Sequence, residues 1–294
     1  MSGKLIKLIY KNNKLNQTII SDMASSIYHI VNNDNKIDGI NEVTGNNMII
    51  TFIEDEISEM QVKGDAIGSY IPDKTNKDIK SKVDYKADSI FYNLKLEKNN
   101  FYKNAKITYQ ETELSANHIK IDWITNKLFS YKEGLVKPSV KASKNSSLMI
   151  GDTLLYDLIN KKGTIIGGTT ELNNAYYVGS EIVSDANESI YSANGIYTSC
   201  ELEKPHYYLF SKKMKMTPEK HIVAKPVILH IHNLPVFAIP FAILPNKGGE
   251  RQSGWIMPSL ARYNNRRYIQ NLGYYIAIND YADVKFLLNF HDMS

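Results

Sequence analysis

The chain has 294 residues and a mass of 33.5 kDa, with 43% hydrophobic and 22% charged residues. That is enough for one large or two ordinary domains, and it excludes wholesale disorder. The net charge of +4 comes from lysines interleaved with acids; no arginine-rich stripe or base-stacking motif points to nucleic acid as a partner. Twenty tyrosines against two tryptophans, with many Val, Ile and Thr, favour β-structure. No apolar run reaches the roughly 18 to 20 residues of a membrane-spanning helix. A transmembrane β-barrel passes that test unseen, because its strands are about ten residues of alternating pattern.

The N-terminal stretch MSGKLIKLIYKNNKLNQ is an apolar run broken by lysine, too short for a signal peptide. From about residue 18 to 225 one theme restarts: a short strand of period-2 alternation, a turn of Asn, Asp, Gly or Lys, then another strand. NNMIITFIEDEISEMQVKGDAIGSY, KVDYKADSIFYNLKLEKNN and AKITYQETELSANHIKID follow it in order. In NHIKIDWITNKLFS, Ile119, Ile121 and Trp123 take one face and His118, Lys120 and Asp122 the other, with a turn at Asn126-Lys127. In GDTLLYDLINKKGTIIGG, Leu154, Tyr156 and Leu158 alternate with Leu155, Asp157 and Ile159 before a turn at Lys161-Lys162-Gly163. Units that cannot bury their own apolar faces must stack on one another. The expected product is an elongated β-sandwich or β-jellyroll with an apolar seam, and no long amphipathic helix.

Near residue 225 the texture changes. Pro226, Pro235, Pro240, Pro245 and Pro258 punctuate an apolar stretch, and a glycine-rich basic segment, NKGGERQSG, follows. Proline cannot donate to a sheet ladder, so a central strand rarely carries several. Then come RRYIQNLGYYIAIND and YADVKFLLNFHDMS, strand-like runs joined by Asn279-Asp280, with Tyr268, Tyr274, Tyr275 and Tyr281 near their ends. Such strands suit a membrane barrel and suit an ordinary sandwich equally.

Signals for chemistry are sparse. His230 and His232, two apart on a strand, could join His206 or His221 around zinc, but no carboxylate or cysteine stands nearby, and polar positions on an edge strand explain them as well. Glu54, Asp55, Glu56, Asp84 and Asp88 read as solvated turns rather than a catalytic carboxylate pair. Cys200 is the single cysteine, so no disulfide can form within the chain. As a nucleophile it would need a positioned base, and His206 six residues on does not establish one. NKGGERQSG lacks the order of a phosphate loop; Lys247 and Arg251 would instead suit anionic groups at a membrane surface. No motif speaks for an enzyme, a cofactor or a metal.

Four segments in series are more specific: YSANGIYTSCELEKPHYYLFSKKMKM, NLPVFAIPFAILP, ERQSGWIMPS and GYYIAINDYADV. In order and spacing they resemble the LPS-assembly outer-membrane LptD (OstA) family, in particular its Bacteroidetes-like members, and GDTLLYDLINKKGTI and TELSANHIKIDW are similar to the OstA-type jellyroll. The resemblance implies an all-β chain: an OstA-like periplasmic β-jellyroll over 1–225, then the first strands of an outer-membrane β-barrel over 226–294. Complete members begin with a signal peptide and close a full barrel, so it further implies an internal fragment. The implied function is passage of lipopolysaccharide through the jellyroll to a lateral barrel gate, and insertion into the outer leaflet of the outer membrane. Implied partners are lipopolysaccharide, an LptA-like bridge protein and an LptE-like lipoprotein plug. Pro235, Pro240 and Pro245 match the proline-bearing gate strand, although simple kinks at the passage from jellyroll to barrel explain them too. Ile119, Ile121, Trp123, Leu154, Tyr156 and Leu158 are candidates for lining the lipid path, or for plain core packing. In many members cysteines bridge jellyroll and barrel; here Cys200 would need a partner outside the chain. The rival expectation is a soluble periplasmic lipid- or glycan-binding β-sandwich.

Overall fold

The computed structural model describes residues 1–294 except 32–36, 75, 77–78, 142–147, 173–174, 186–188, 203, 218–220, 246–252, 257–258, 264–265, 279–281 and 292–294. Every regular element among the described residues is a β-strand, as the alternation and the tyrosine-rich composition predict. The chain divides into two compact units, Met1–Asn187 and Glu188–Ser294. The boundary at 225 expected from the change in texture falls inside the second unit, between two strands.

Unit 1 is a β-jellyroll built on an antiparallel meander: β1 (Leu5–Lys11), β2 (Lys14–Val31), β3 (Ile37–Ile53), β4 (Glu56–Pro72), β5 (Val83–Asn93), β6 (Lys98–Tyr109) and β7 (Thr112–Asp122). It continues as β8 (Lys127–Tyr131), β9 (Ser139–Lys141), β10 (Met149–Ile150), β11 (Thr153–Asp157), β12 (Lys162–Leu172) and β13 (Ala175–Ser184). β2, β3 and β4 are 18, 17 and 17 residues long, and each bends once in the middle. At this level the ladder slips once in each neighbouring pair, at Ser21/Ala24, Thr44/Asn47, Lys63/Ala66, Lys86/Ser89 and Tyr102/Ala105. On β2, β4 and β6 two left-handed residues form each bulge: Asp22-Met23, Gly64-Asp65 and Lys103-Asn104. A bulge bends its strand; bulges lined up across six strands fold the whole sheet along one line, as corners between packed sheets require.

The bend separates two half-sheets with different inner faces. Below it, one cross-strand row takes one residue from each successive strand: Ile20, Met48, Val62, Ile90, Phe101, Ile119, Ser130, Leu154, Ile165 and Ile182. None of them is more than 5% exposed. Above the bend the matching row is Ser26, Val43, Gly68, Tyr85, Ile107, Leu114, Val140, Met149 and Thr170, with smaller and more polar side chains. Glycine is needed here: a Cβ on Gly68 would sit 2.5 Å from the Tyr85 ring and 2.6 Å from the Glu42 carbonyl, and one on Gly39 would sit 2.5 Å from the Tyr70 ring.

Three turns at the lower end share one construction. Asn93, Asp122 and Asp157 each accept the backbone N–H three residues on, from Leu96 (2.8 Å), Thr125 (3.0 Å) and Asn160 (2.8 Å). Each turn closes on a left-handed residue, Glu97, Asn126 or Lys161, and the next strand then opens on Lys98, Lys127 or Lys162. The turns therefore fall just before the positions expected at Asn126-Lys127 and Lys161-Lys162-Gly163, and Trp123 and Leu158 lie in them rather than on strands.

Unit 2 holds two sheets. The first is β14 (Ile190–Thr198), β15 (Tyr207–Met216), β16 (His221–Lys225), β17 (Val227–Ile231), β18 (Leu234–Ile239) and β19 (Ala242–Pro245). β16 and β17 together pair along β15, and β18 and β19 together pair along β17 and β16. These are two long strands, each broken once, at Pro226 and at Pro240-Phe241. β14 and β15 pair in constant register on both sides of the left-handed Asn194, which interrupts β14 at the same level. The second sheet pairs β20 (Gly254–Ile256) and β21 (Ser259–Tyr263) with one side of β22 (Arg266–Ala277), and β23 (Asp283–His291) with the other.

Candidate functional site

In the lower half of unit 1, Ile119 and Leu154 stand in the apolar row with Ser130 between them, and Ser130 satisfies its hydroxyl on the His118 carbonyl at 2.7 Å. Ile121, Leu128 and Tyr156 form the next row. Four of the side chains that the sequence marks out thus lie in two adjoining rows: Ile119, Ile121 and Leu154 are buried and Tyr156 is half-buried, while Leu158, also half-buried, lies in the turn after β11. Trp123, also half-buried, sits in the β7–β8 turn.

Across the bend the sequence reading missed a tyrosine cluster. Tyr92 donates to the Tyr85 hydroxyl (2.9 Å), and Tyr85 donates to Asn41 Oδ1 (2.7 Å). Tyr85 lies above the bend and Tyr92 below it, so this bond ties the two half-sheets together. Tyr28 stands edge-on to Tyr92 at 6.4 Å and Phe101 edge-on to Tyr85 at 5.4 Å, spacings at which aromatic pairs attract. Burial pushes the phenols of Tyr28 and Tyr92 well up and that of Tyr85 to about 12; the desolvated phenolate is the disfavoured form. These hydroxyls stay neutral near pH 7, as hydrogen-bonding groups rather than acids or bases. A second tie closes the upper end: Tyr70 donates to Asp38, and Asn76 donates to both.

The polar candidates of unit 2 do not assemble as a site. His232 follows β17 with a left-handed backbone and turns towards His206, ring centres 5.4 Å apart. His230 instead stacks on Tyr208 at 4.7 Å. The turn residue destroys the shared face that spacing of two would give. His221 is exposed and pairs with Pro245. Cys200 is a free thiol 3.9 Å from His206 Nδ1. Among the described residues no three His, Cys, Asp or Glu side chains gather as a metal set. Lys247, Arg251, Pro258, Asn279, Asp280 and Tyr281 lie outside the described residues.

The proline strands have a distinct surface. Pro235 faces His230 at a bulge, Pro240 sits in the break between β18 and β19, and Pro245 closes β19. Leu234, Val236, Phe237, Phe241 and Ile243 are all exposed, and among the described residues no strand pairs along the outer side of β18 and β19. β23 is exposed throughout, with Val284, Phe286, Leu288 and Phe290 alternating on one face. On β22 their partners are Ile276, Tyr274 and Leu272, whereas the opposite face holds Lys285 over the Tyr275 ring and a Tyr275–Asp283 hydrogen bond of 3.1 Å. One side of this hairpin is wholly apolar and exposed; the other mixes Asp283, Lys285 and Asn289 with Leu287. No helix among the described residues is long and apolar enough to cross a membrane, which says nothing of strands.

Residues 222–293 match the family model described as LptD protein. No curated protein matches the chain. The matched segment holds the proline strands and the apolar hairpin, in the order in which the sequence motifs run. Over residues 222–293, the part that holds the proline strands and the apolar hairpin, this chain is similar to the LptD family.

Proposed function

We propose that unit 1 is a periplasmic conduit that guides lipopolysaccharide acyl chains along its inner face towards strands of an outer-membrane β-barrel that begins in unit 2. The observation that carries this reading is the unbroken apolar row of the lower half-sheet, which crosses β2 to β8 and β11 to β13 with a single hydroxyl, itself satisfied. An acyl chain on such a surface keeps the transfer energy that it has in a bilayer, about 0.8 kcal/mol for each buried CH2. Moving along the row therefore costs little, and the direction must be driven from outside this chain.

The apolar face of β22 and β23 supports a barrel: outward positions apolar, the opposite face more polar. β18 and β19 support the lateral gate. Their outer side is unpaired among the described residues, and Pro235, Pro240 and Pro245 each offer no N–H to a neighbouring strand; in hydrocarbon each missing bond costs several kcal/mol, so such a seam is weak and opens. Their places at a bulge, a break and a strand end also serve the bend of the sheet. β1, with a partner strand on one side only among the described residues, suits edge pairing with an LptA-like bridge. An LptE-like plug would occupy the barrel lumen.

A photo-crosslinking residue at Tyr156, on the margin of the row, is expected to capture lipopolysaccharide in cells, and one at Ile67 on the outer face is not. Equal capture at both positions, or none at either, refutes the conduit. For the gate, Pro240→Thr with Pro245→Thr is expected to slow delivery of lipopolysaccharide to the cell surface; unchanged surface lipopolysaccharide contradicts it. If the chain stays in the aqueous phase on detergent partition, the barrel reading gives way to the soluble β-sandwich.

A further inference from the structure

Asn41 is 4% exposed, on the inner face of the upper half-sheet between Gly39 and Val43 of β3. Tyr85 accepts from Tyr92 and gives its proton to Asn41 Oδ1, which leaves Nδ2 as the donor end of the amide. Nδ2 has no acceptor among the described residues. A buried donor left unpaired is costly, and native interiors hold few of them. An apolar residue here would pack without that cost, and a Tyr85 turned to Phe would then need no acceptor either. The other buried side-chain atom without a partner among the described residues is Thr170 Oγ1, in the cross-strand row of Tyr85 and so on the same side of the bend. The lower half-sheet, with its aliphatic row, has no such atom among the described residues.

We propose that Asn41 is a hydrogen-bonding anchor for an oxygen carried on an acyl chain, an ester or amide carbonyl or a hydroxyl. The inference rests on the conduit reading and adds a polarity to it. Bare methylene chain is accommodated by the aliphatic half, and the oxygen-bearing root of the chain by the Asn41 side. The donor is the NH2 group, which suits a carbonyl or hydroxyl acceptor lacking full charge. A carboxylate or phosphate in the same place would be buried with its charge, at far greater cost. Tyr85 and Tyr92 act as positioning residues that hold the amide in one orientation.

The test compares two probes of equal chain length, tetradecane and methyl tetradecanoate, on the full chain in detergent. The wild type is expected to bind the ester more tightly than the alkane, by about five- to tenfold, the size of one net hydrogen bond. The triple variant Asn41→Leu, Tyr85→Phe, Tyr92→Phe removes donor and partners together; it is expected to keep its unfolding midpoint, lose the ester preference and bind the alkane at least as well. Should this variant fail to fold, the wild-type Asn41 amide resonances decide: they are expected to shift with the ester and not with the alkane. Equal binding of both probes by wild type, or an ester preference that survives in the folded variant, overturns the anchor while leaving the conduit standing. Binding of neither probe, together with no lipopolysaccharide capture at Tyr156, overturns the conduit itself.

Discussion

β5 and β23 are built alike and end differently. In VDYKADSIFYN of unit 1, Tyr85, Ala87, Ile90 and Tyr92 are all buried. In DVKFLLNFH of unit 2, Val284, Phe286, Leu288 and Phe290 alternate as cleanly and are all exposed. Period-2 alternation states which side chains share a face; it does not state what covers that face. In unit 1 the chain covers it, by bending one sheet until its inner side closes on itself. In unit 2 the apolar face of the β22–β23 hairpin is left open, and on the proposed reading lipid covers it.

The largest effect is expected inside unit 1. Phe101 is 1% exposed, in the apolar row and edge-on to Tyr85, so Phe101→Ala should cost about 3–5 kcal/mol by lost burial and a cavity. Denaturant unfolding of the full chain reads this, and a loss below about 1 kcal/mol would mean that the interior is loosely packed.

The comparison itself breaks or holds on a matched pair. Ile67 on the outside of β4 and Phe286 on β23 are 57% and 61% exposed. With water over both faces, Ile67→Arg and Phe286→Arg would each stay within about 0.5 kcal/mol. With hydrocarbon over β23, Phe286→Arg should cost about 2–4 kcal/mol and reduce insertion into lipid vesicles, while Ile67→Arg remains neutral. Equal effects of the two substitutions remove the ground for a lipid-facing hairpin.

Gly68 sharpens the account of the upper half. Gly68→Ala forces a methyl against the Tyr85 ring and the Glu42 carbonyl, and overpacking of this kind costs about 1–3 kcal/mol. The same change at Gly134, left-handed but with nothing within 4 Å of its Cβ position, should show only the backbone strain, about 1–2 kcal/mol. A harmless Gly68→Ala would mean that Tyr85 is free to move, and the tie between the half-sheets with it.

Much of unit 1 is legible in the sequence, and its failures are instructive. Strand identity follows from alternation, yet the long strands read as short ones. The cause lies in the bulges. On β7, Leu114 and Ala116 are buried, then Ile119 and Ile121; opposite the two-residue bulge Lys103-Asn104 of β6 the burial phase of β7 shifts by one, and a phase shift looks like a strand end. The pairing that lines up Ile20 with Ile182 across the sheet is set by register between strands, which no local window contains. Asn41 is invisible for the same reason, because its burial depends on Tyr85 and Tyr92 from another hairpin. The prolines of unit 2 stand out in the sequence, but the level at which they break the strands is set by pairing with β15, far away along the chain. His230 and His232 mislead because one turn residue separates their faces.

The turns were legible and supply the smallest prediction. Asn93, Asp122 and Asp157 hold the same place, with a lysine five residues on. Backbone N–H donors hold the Asp122 and Asp157 carboxyls below the usual carboxylate range, chiefly that of Thr125 for Asp122 and that of Asn160 for Asp157. A depressed folded value means that the ionised form is favoured by folding. The contribution is therefore complete above the ordinary value near 4 and disappears as pH falls through the lower folded one. Asp122→Asn and Asp157→Asn keep an acceptor for the turn but cannot titrate, as Asn93 already does in the first turn. The double variant should be somewhat less stable than the wild type near neutrality, unfold less steeply with acid between about pH 5 and pH 3, and approach the wild type as pH falls further. Because both carboxylates lie at the surface, the effect should shrink in salt as their pairing with Lys98 and Lys127 is screened. A double variant whose acid limb overlays that of the wild type would place the pH dependence elsewhere, and would leave these turns held by their backbone geometry alone.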